Sequence, residues 1–106
     1  TLPIQEARKQ AFFAGTLELF LDGEEAVNFL ERAERIRPTA EGANNLGLAK
    51  YRVGESTRAK NQFQLAVSRW EGYLDALINS ETSESPGQFT THQIRMQSSL
   101  SEYSVF

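Results

Sequence analysis

The stretch NNLGLAKYRVGESTRAKNQFQLA, residues 44–66, decides the fold. Leu46 and Gly47 come first, followed at helical intervals by Tyr51, Gly54, Ala59, Phe63 and Ala66. Sliding the chain by 33 residues repeats the pattern in one register without a gap. Phe13-Ala14 falls on Leu46-Gly47, Ala26 on Ala59, Leu30 on Phe63 and Ala33 on Ala66. Each copy reads as a helix, a tight turn and a second helix. Antiparallel helices approach to about 8–10 Å only where small residues sit at the contact. Gly47, Ala59 and Ala66 are expected to supply those contacts in the second copy, and Ala14, Ala26 and Ala33 in the first. Leu30 and Phe63 are expected to fill the space between neighbouring pairs.

The flanking sequence sets the helix ends. Pro3 suits a first helical turn. Ile4, Ala7, Ala11, Phe13, Ala14, Leu17, Phe20 and Leu21 follow a helical period. Asp22-Gly23 interrupts it, and Asp22 is the expected cap of a second helix that opens on Glu24 and Glu25. That helix carries Ala26, Val27, Phe29, Leu30, Ala33 and Ile36, has Arg32, Arg35 and Arg37 near its end, and stops at Pro38. Thr39 is placed to cap a third helix that ends at Gly54, and Ser56 or Thr57 to cap a fourth.

Beyond Trp70 the apolar stripe continues through Tyr73, Leu74, Leu77 and Ile78. This predicts that the fourth helix extends to about residue 79, although an interior Gly72 costs ~1 kcal/mol. No third copy follows in this reading. Burying each of the four side chains gains ~1.5–3 kcal/mol, so either the tail from Phe89 folds back over them or another chain covers them. Residues 80–85 are rich in Ser, Thr and Glu and lead to Pro86-Gly87, a linker composition. Met96, Leu100 and Tyr103 then form a weak helical stripe, expected as a short capping helix. The predicted organisation is a helical domain over residues 1–79, with units at about 7–39 and 40–73, and a linker with a cap over 80–106.

Taken together, Leu46-Gly47, Tyr51, Gly54, Ala59, Phe63 and Ala66 resemble the tetratricopeptide repeat family, and Ala26, Leu30, Ala33 and Pro38 resemble the ending of its unit. The first unit departs from the family pattern at Ala14, and its turn glycine, Gly23, comes two residues late. The resemblance covers about residues 7–70. It implies an all-α fold of two stacked antiparallel helix pairs, a short α-α solenoid. A plain four-helix bundle also places alanines at contacts and is the alternative arrangement.

The family resemblance also implies protein binding along the first helix of each pair. By family register the groove would show Arg8, Ala11, Gly15 and Glu18 from the first unit, and Asn44, Asn45, Leu48, Tyr51 and Arg52 from the second. These types suit a peptide: asparagine can bond a backbone, tyrosine offers apolar area with a polar tip, and arginine can hold a carboxylate. The family's carboxylate clamp is not expected, because Ala11 and Gly15 stand where it needs lysine and asparagine. The expected role is a scaffold or chaperone-like adaptor. The alternative is a structural module that self-associates through Tyr73, Leu74, Leu77 and Ile78.

The remaining composition narrows the chemistry. The 106 residues suit one domain, with 40% hydrophobic and 24% charged residues. A net charge of -3 with no basic run argues against nucleic acid or anionic membrane as a general partner. The absence of cysteine removes disulfides and thiolate metal sites. No apolar run approaches the ~18 residues of a membrane span. His92 is the sole histidine and has no second imidazole or thiol to work with. Glu24-Glu25 and Glu31 with Glu34 fit a helix start and a solvated face. No glycine-rich phosphate loop is present. The sequence therefore predicts no enzyme, no metal and no cofactor, and it leaves the compartment open. The chain opens on Thr1 rather than methionine, as a processed fragment of a longer protein would.

Overall fold

The computed structural model describes residues 2–21 and 24–83. Over these the chain is all-helical, in the order α1 (Leu2–Phe20), α2 (Ala26–Ile36), α3 (Ala40–Arg52), α4 (Ser56–Arg69) and α5 (Leu74–Ser83). No strand occurs among the described residues. Asp22, the expected cap of α2, and the expected helix around Met96 lie outside them. The residue at the cap position of α2 is Glu25, whose side chain makes no capping bond to the backbone. Glu55 likewise holds the cap position of α4 without a side-chain capping bond, where Ser56 or Thr57 was expected.

Thr39 caps α3 as its sequence position predicts. Its Oγ1 accepts from the Gly42 backbone N–H at 2.9 Å. It also joins three other helices. Arg8 of α1 donates to the same hydroxyl at 2.8 Å. The Thr39 N–H donates to Glu34 of α2 at 3.0 Å, and its carbonyl accepts from Arg69 of α4 at 3.0 Å. Arg69 also pairs with Glu34 at 2.6 Å. One residue at the α2–α3 corner therefore satisfies the end of one helix and ties down three others.

The helices meet in chain order. α1 packs along α2, α3 along α4, α2 against α3, and α4 against α5, while α1 also meets α3 and α3 meets α5. Two glycines lie against apolar side chains of the paired helix. A Cβ added at Gly47 would lie 2.5 Å from the Phe63 ring, and one at Gly15 would lie 2.5 Å from Leu30 Cγ. Ala33, Ala59 and Ala66 are fully buried and Ala26 nearly so.

These contacts correct the gapless register. Leu30 and Phe63 are 33 residues apart, but Gly15 and Gly47 are 32 apart. In α1 the residue against α2 is Gly15, not Ala14, which is only half-buried. Gly15 therefore faces α2 and does not line a groove. Leu30 and Phe63 each press on the glycine of their own pair, rather than only filling the space between pairs. The first copy is one residue shorter between its glycine and its large side chain.

The expected extension of α4 to residue 79 is also corrected. α4 ends with Trp70 at its C-cap, in an extended conformation. Gly72 follows at φ +82°, a region that favours glycine. A separate α5 then begins and runs through Ser83, into residues expected to be linker. Tyr73 turns inward, buried and stacked on Trp70 with ring centroids 4.5 Å apart.

Propensity alone makes Gly→Ala favourable in a helix by ~1 kcal/mol. Here the contact reverses the sign. Gly15→Ala and Gly47→Ala should each lower stability by ~1–3 kcal/mol through overpacking. Glu24→Gln, on the exposed surface, should stay within ~0.5 kcal/mol. Urea midpoints check this; a gain at Gly47 would show that the helices do not meet there.

Candidate functional site

The residues proposed for a groove all belong to α1 and α3, and the structure divides them into two sets. Arg8, Asn44, Asn45 and Leu48 are buried. Glu18 and Tyr51 are half-buried, and Arg52 is exposed.

The buried set has structural partners. Asn79 of α5 donates its amide to Asn44 Oδ1 at 3.0 Å. Asn44 donates to Asn45 Oδ1 at 3.3 Å, and Asn45 donates to Thr16 Oγ1 of α1 at 2.9 Å. All four side chains are fully buried. They form a polar ladder across α1, α3 and α5. An amide left unanswered in such a place costs ~1–3 kcal/mol, so the ladder fixes how these helices lie against one another. The asparagines were expected to bond a bound peptide; their amides are instead committed to neighbouring helices. Arg8, besides holding Thr39, lies 5.3 Å from the Phe12 ring centroid. Leu48 belongs to the core with Phe12, Leu19 and Leu46.

The accessible set gathers at the C-terminal ends of α1 and α3. Arg52 donates from Nη1 to the Leu19 carbonyl, placing its charge at the negative pole of α1. Phe20 and Leu21 follow Leu19 directly, and Val53 follows Arg52. These three are exposed by 50%, 73% and 56%. Tyr51 packs on the core edge beside them. An arginine, a tyrosine and three open apolar side chains thus surround the joined ends of two helices. The helical period read in α1 included Phe20 and Leu21, and Val53 was not singled out. The signal available was position: all three stand at helix ends next to a turn.

A second open apolar group lies at α4–α5. Trp70, Leu74 and Leu77 are exposed, whereas Ile78 is half-buried. The expected self-association stripe is therefore split, with Tyr73 in the core and Leu74 and Leu77 outside. An open hollow between α2 and α3 is lined by Glu31, Glu34, Arg35 and Leu46. Its two glutamates are already engaged, Glu31 with Lys50 at 3.1 Å and Glu34 with Arg69. Among the described residues no group of three His, Cys, Asp or Glu is placed to hold a metal ion, and no helix is long and apolar enough to cross a membrane.

The ladder yields a sign-specific expectation. Asn44→Ala should cost ~1–3 kcal/mol, because Asn79 and Asn45 lose a partner in the interior. Asn44→Ala combined with Asn79→Ala should cost less than the sum of the two single changes. A double-mutant cycle in urea measures this; strict additivity would show that the two amides do not meet.

No protein-family model, curated protein or solved structure matches the chain.

Proposed function

We propose that the chain is a non-enzymatic protein-interaction module of the tetratricopeptide repeat kind. In this reading α1–α2 and α3–α4 are stacked antiparallel pairs, and α5 begins the next layer. The repeated glycine contacts, Gly15 with Leu30 and Gly47 with Phe63, support it. So does the order in which the helices meet. The module holds a peptide or helix of a partner protein and serves as a scaffold or chaperone-like adaptor.

The observation that carries the binding role is the cluster at the joined ends of α1 and α3. Exposed Phe20, Leu21 and Val53 lie beside Arg52 and Tyr51, with Glu18 one turn back along α1. Adjacent open apolar side chains with arginine and tyrosine have the composition of an interface centre. The accessible part of the predicted groove is thus Glu18, Tyr51 and Arg52, while Arg8, Asn44, Asn45 and Leu48 are buried and engaged within the fold. The exposure of Trp70, Leu74 and Leu77 favours a second reading, in which the chain self-assembles through its α5 end.

Two pairs of substitutions separate these roles, both on exposed residues. Phe20→Asp with Val53→Asp should reduce capture of the natural partner at least about 30-fold, the equivalent of ~2 kcal/mol, with an unchanged melting temperature. Leu74→Asp with Leu77→Asp should leave capture intact. Quantitative pull-down and sedimentation on both variants check this. Loss of capture, or of self-association, only in the second variant would assign the working surface to α5.

A further inference from the structure

The two ends of the helical array differ in charge. Arg8 of α1 bonds Thr39 at the start of α3, and Arg69 at the end of α4 reaches Glu34 and Thr39. These termini therefore share one end. Arg52 bonds the Leu19 carbonyl, so the last turns of α1 and α3 share the other. At the Thr39 end α2 finishes with exposed Arg35 and Arg37. At the Leu19 end Glu18 lies in the last turn of α1, and exposed Glu24 and Glu25 lead into α2.

The cations at the Leu19 end are already engaged. Arg52 holds the Leu19 carbonyl, Arg58 pairs with Glu55 at 3.7 Å, and Lys50 pairs with Glu31 at 3.1 Å and Glu55 at 3.7 Å. Among the described residues Glu18, Glu24 and Glu25 take part in no ion pair. Glu24 and Glu25 suit the start of α2, where the helix dipole favours acids. Glu18 has no such local reason. It stands at the negative pole of α1, where an acid is disfavoured, so a cation from outside would offset its position. Beside these acids are Phe20, Leu21 and Val53, exposed by 50%, 73% and 56%. The apolar side chains call for an apolar cover, and the charges around them set the sign of its rim.

We propose that the partner segment held at the ends of α1 and α3 is a basic amphipathic one. Its apolar side chains lie over Phe20, Leu21 and Val53, and its flanking lysines or arginines face Glu18, Glu24 and Glu25. The apolar contacts supply most of the affinity, while the exposed acids speed encounter and turn away acidic segments. The inference rests on the binding surface proposed above and adds the chemistry of what it takes.

The probes are a short amphipathic peptide of leucine and lysine and the same peptide with glutamate for every lysine, each titrated into the ¹⁵N-labelled full chain. The lysine peptide should shift the amides of Phe20, Leu21 and Val53, and the glutamate peptide should not. Glu18→Gln with Glu24→Gln and Glu25→Gln should weaken the lysine peptide about tenfold at low salt. That loss should shrink as salt rises, since exposed charges are screened beyond ~10 Å at 0.1 M. Glu6→Gln with Glu41→Gln and Glu71→Gln removes as much charge elsewhere and should change binding less than about twofold. Equal weakening by both triple variants would reduce the effect to net charge and overturn the proposal. Equal shifts from both peptides would overturn the basic chemistry and leave the binding surface standing. Shifts at Trp70, Leu74 and Leu77 instead would overturn both. Binding of neither peptide would overturn the proposal. So would salt-sensitive self-association of the chain that the Glu18, Glu24 and Glu25 changes abolish, since the occupant would then be a second copy.

Discussion

The close approach of paired helices at a glycine is the constraint from which the other features follow. At Gly47 a Phe63 ring lies where a Cβ would stand, and at Gly15 a leucine does. Such contacts fix both the spacing and the rotation of each pair, because protein interiors do not tolerate an added methyl without displacement. Once each pair is set, the faces that remain must serve the contacts between pairs. Asn45 then reaches Thr16 and Asn44 reaches Asn79. Arg52 can close the end of α1 only because α1 and α3 lie side by side. The glycine contacts hold the pairs, and the polar ladder and Thr39 hold the pairs to one another.

This division of labour explains the character of α3. From Gly42 to Lys50 every residue is buried, including two asparagines and a lysine. A helix surrounded on all sides usually reads as apolar all round. Here polar side chains are answered individually: the asparagines by the ladder, and Lys50 by Glu31 at 3.1 Å and Glu55 at 3.7 Å. Buried polar groups of this kind specify one arrangement more than they add stability, since a misplaced helix would leave them unanswered. The binding surface proposed at the ends of α1 and α3 would depend on that definition of register.

Local chemistry was legible in the sequence. Pro38, Thr39 and Gly54 mark helix boundaries through caps and backbone preferences that act over a few residues, and Ala59, Phe63 and Ala66 mark a contact face through their spacing. Features decided by distant residues were not. Phe13-Ala14 satisfies the small-residue pattern as well as Ala14-Gly15 does; only the contact with Leu30 selects Gly15. Asn44 and Asn45 look like groove donors until Thr16, 29 residues before Asn45, and Asn79, 35 residues beyond Asn44, are seen to answer them. Gly72 can sit inside a helix at a cost or turn the chain; docking of α5 on α4 and stacking of Tyr73 on Trp70 decide for the turn. Of the predicted groove, Glu18, Tyr51 and Arg52 remain accessible, because they stand nearest the helix ends.

The central claim is that two helix pairs share one contact, displaced by a single residue between copies. Nuclear Overhauser spectra of the folded chain test it directly. The account predicts strong cross-peaks from Gly47 Hα to the Phe63 ring and from Gly15 Hα to the Leu30 methyls. Cross-peaks from Ala14 rather than Gly15 to Leu30, or none between Gly47 and Phe63, would contradict it.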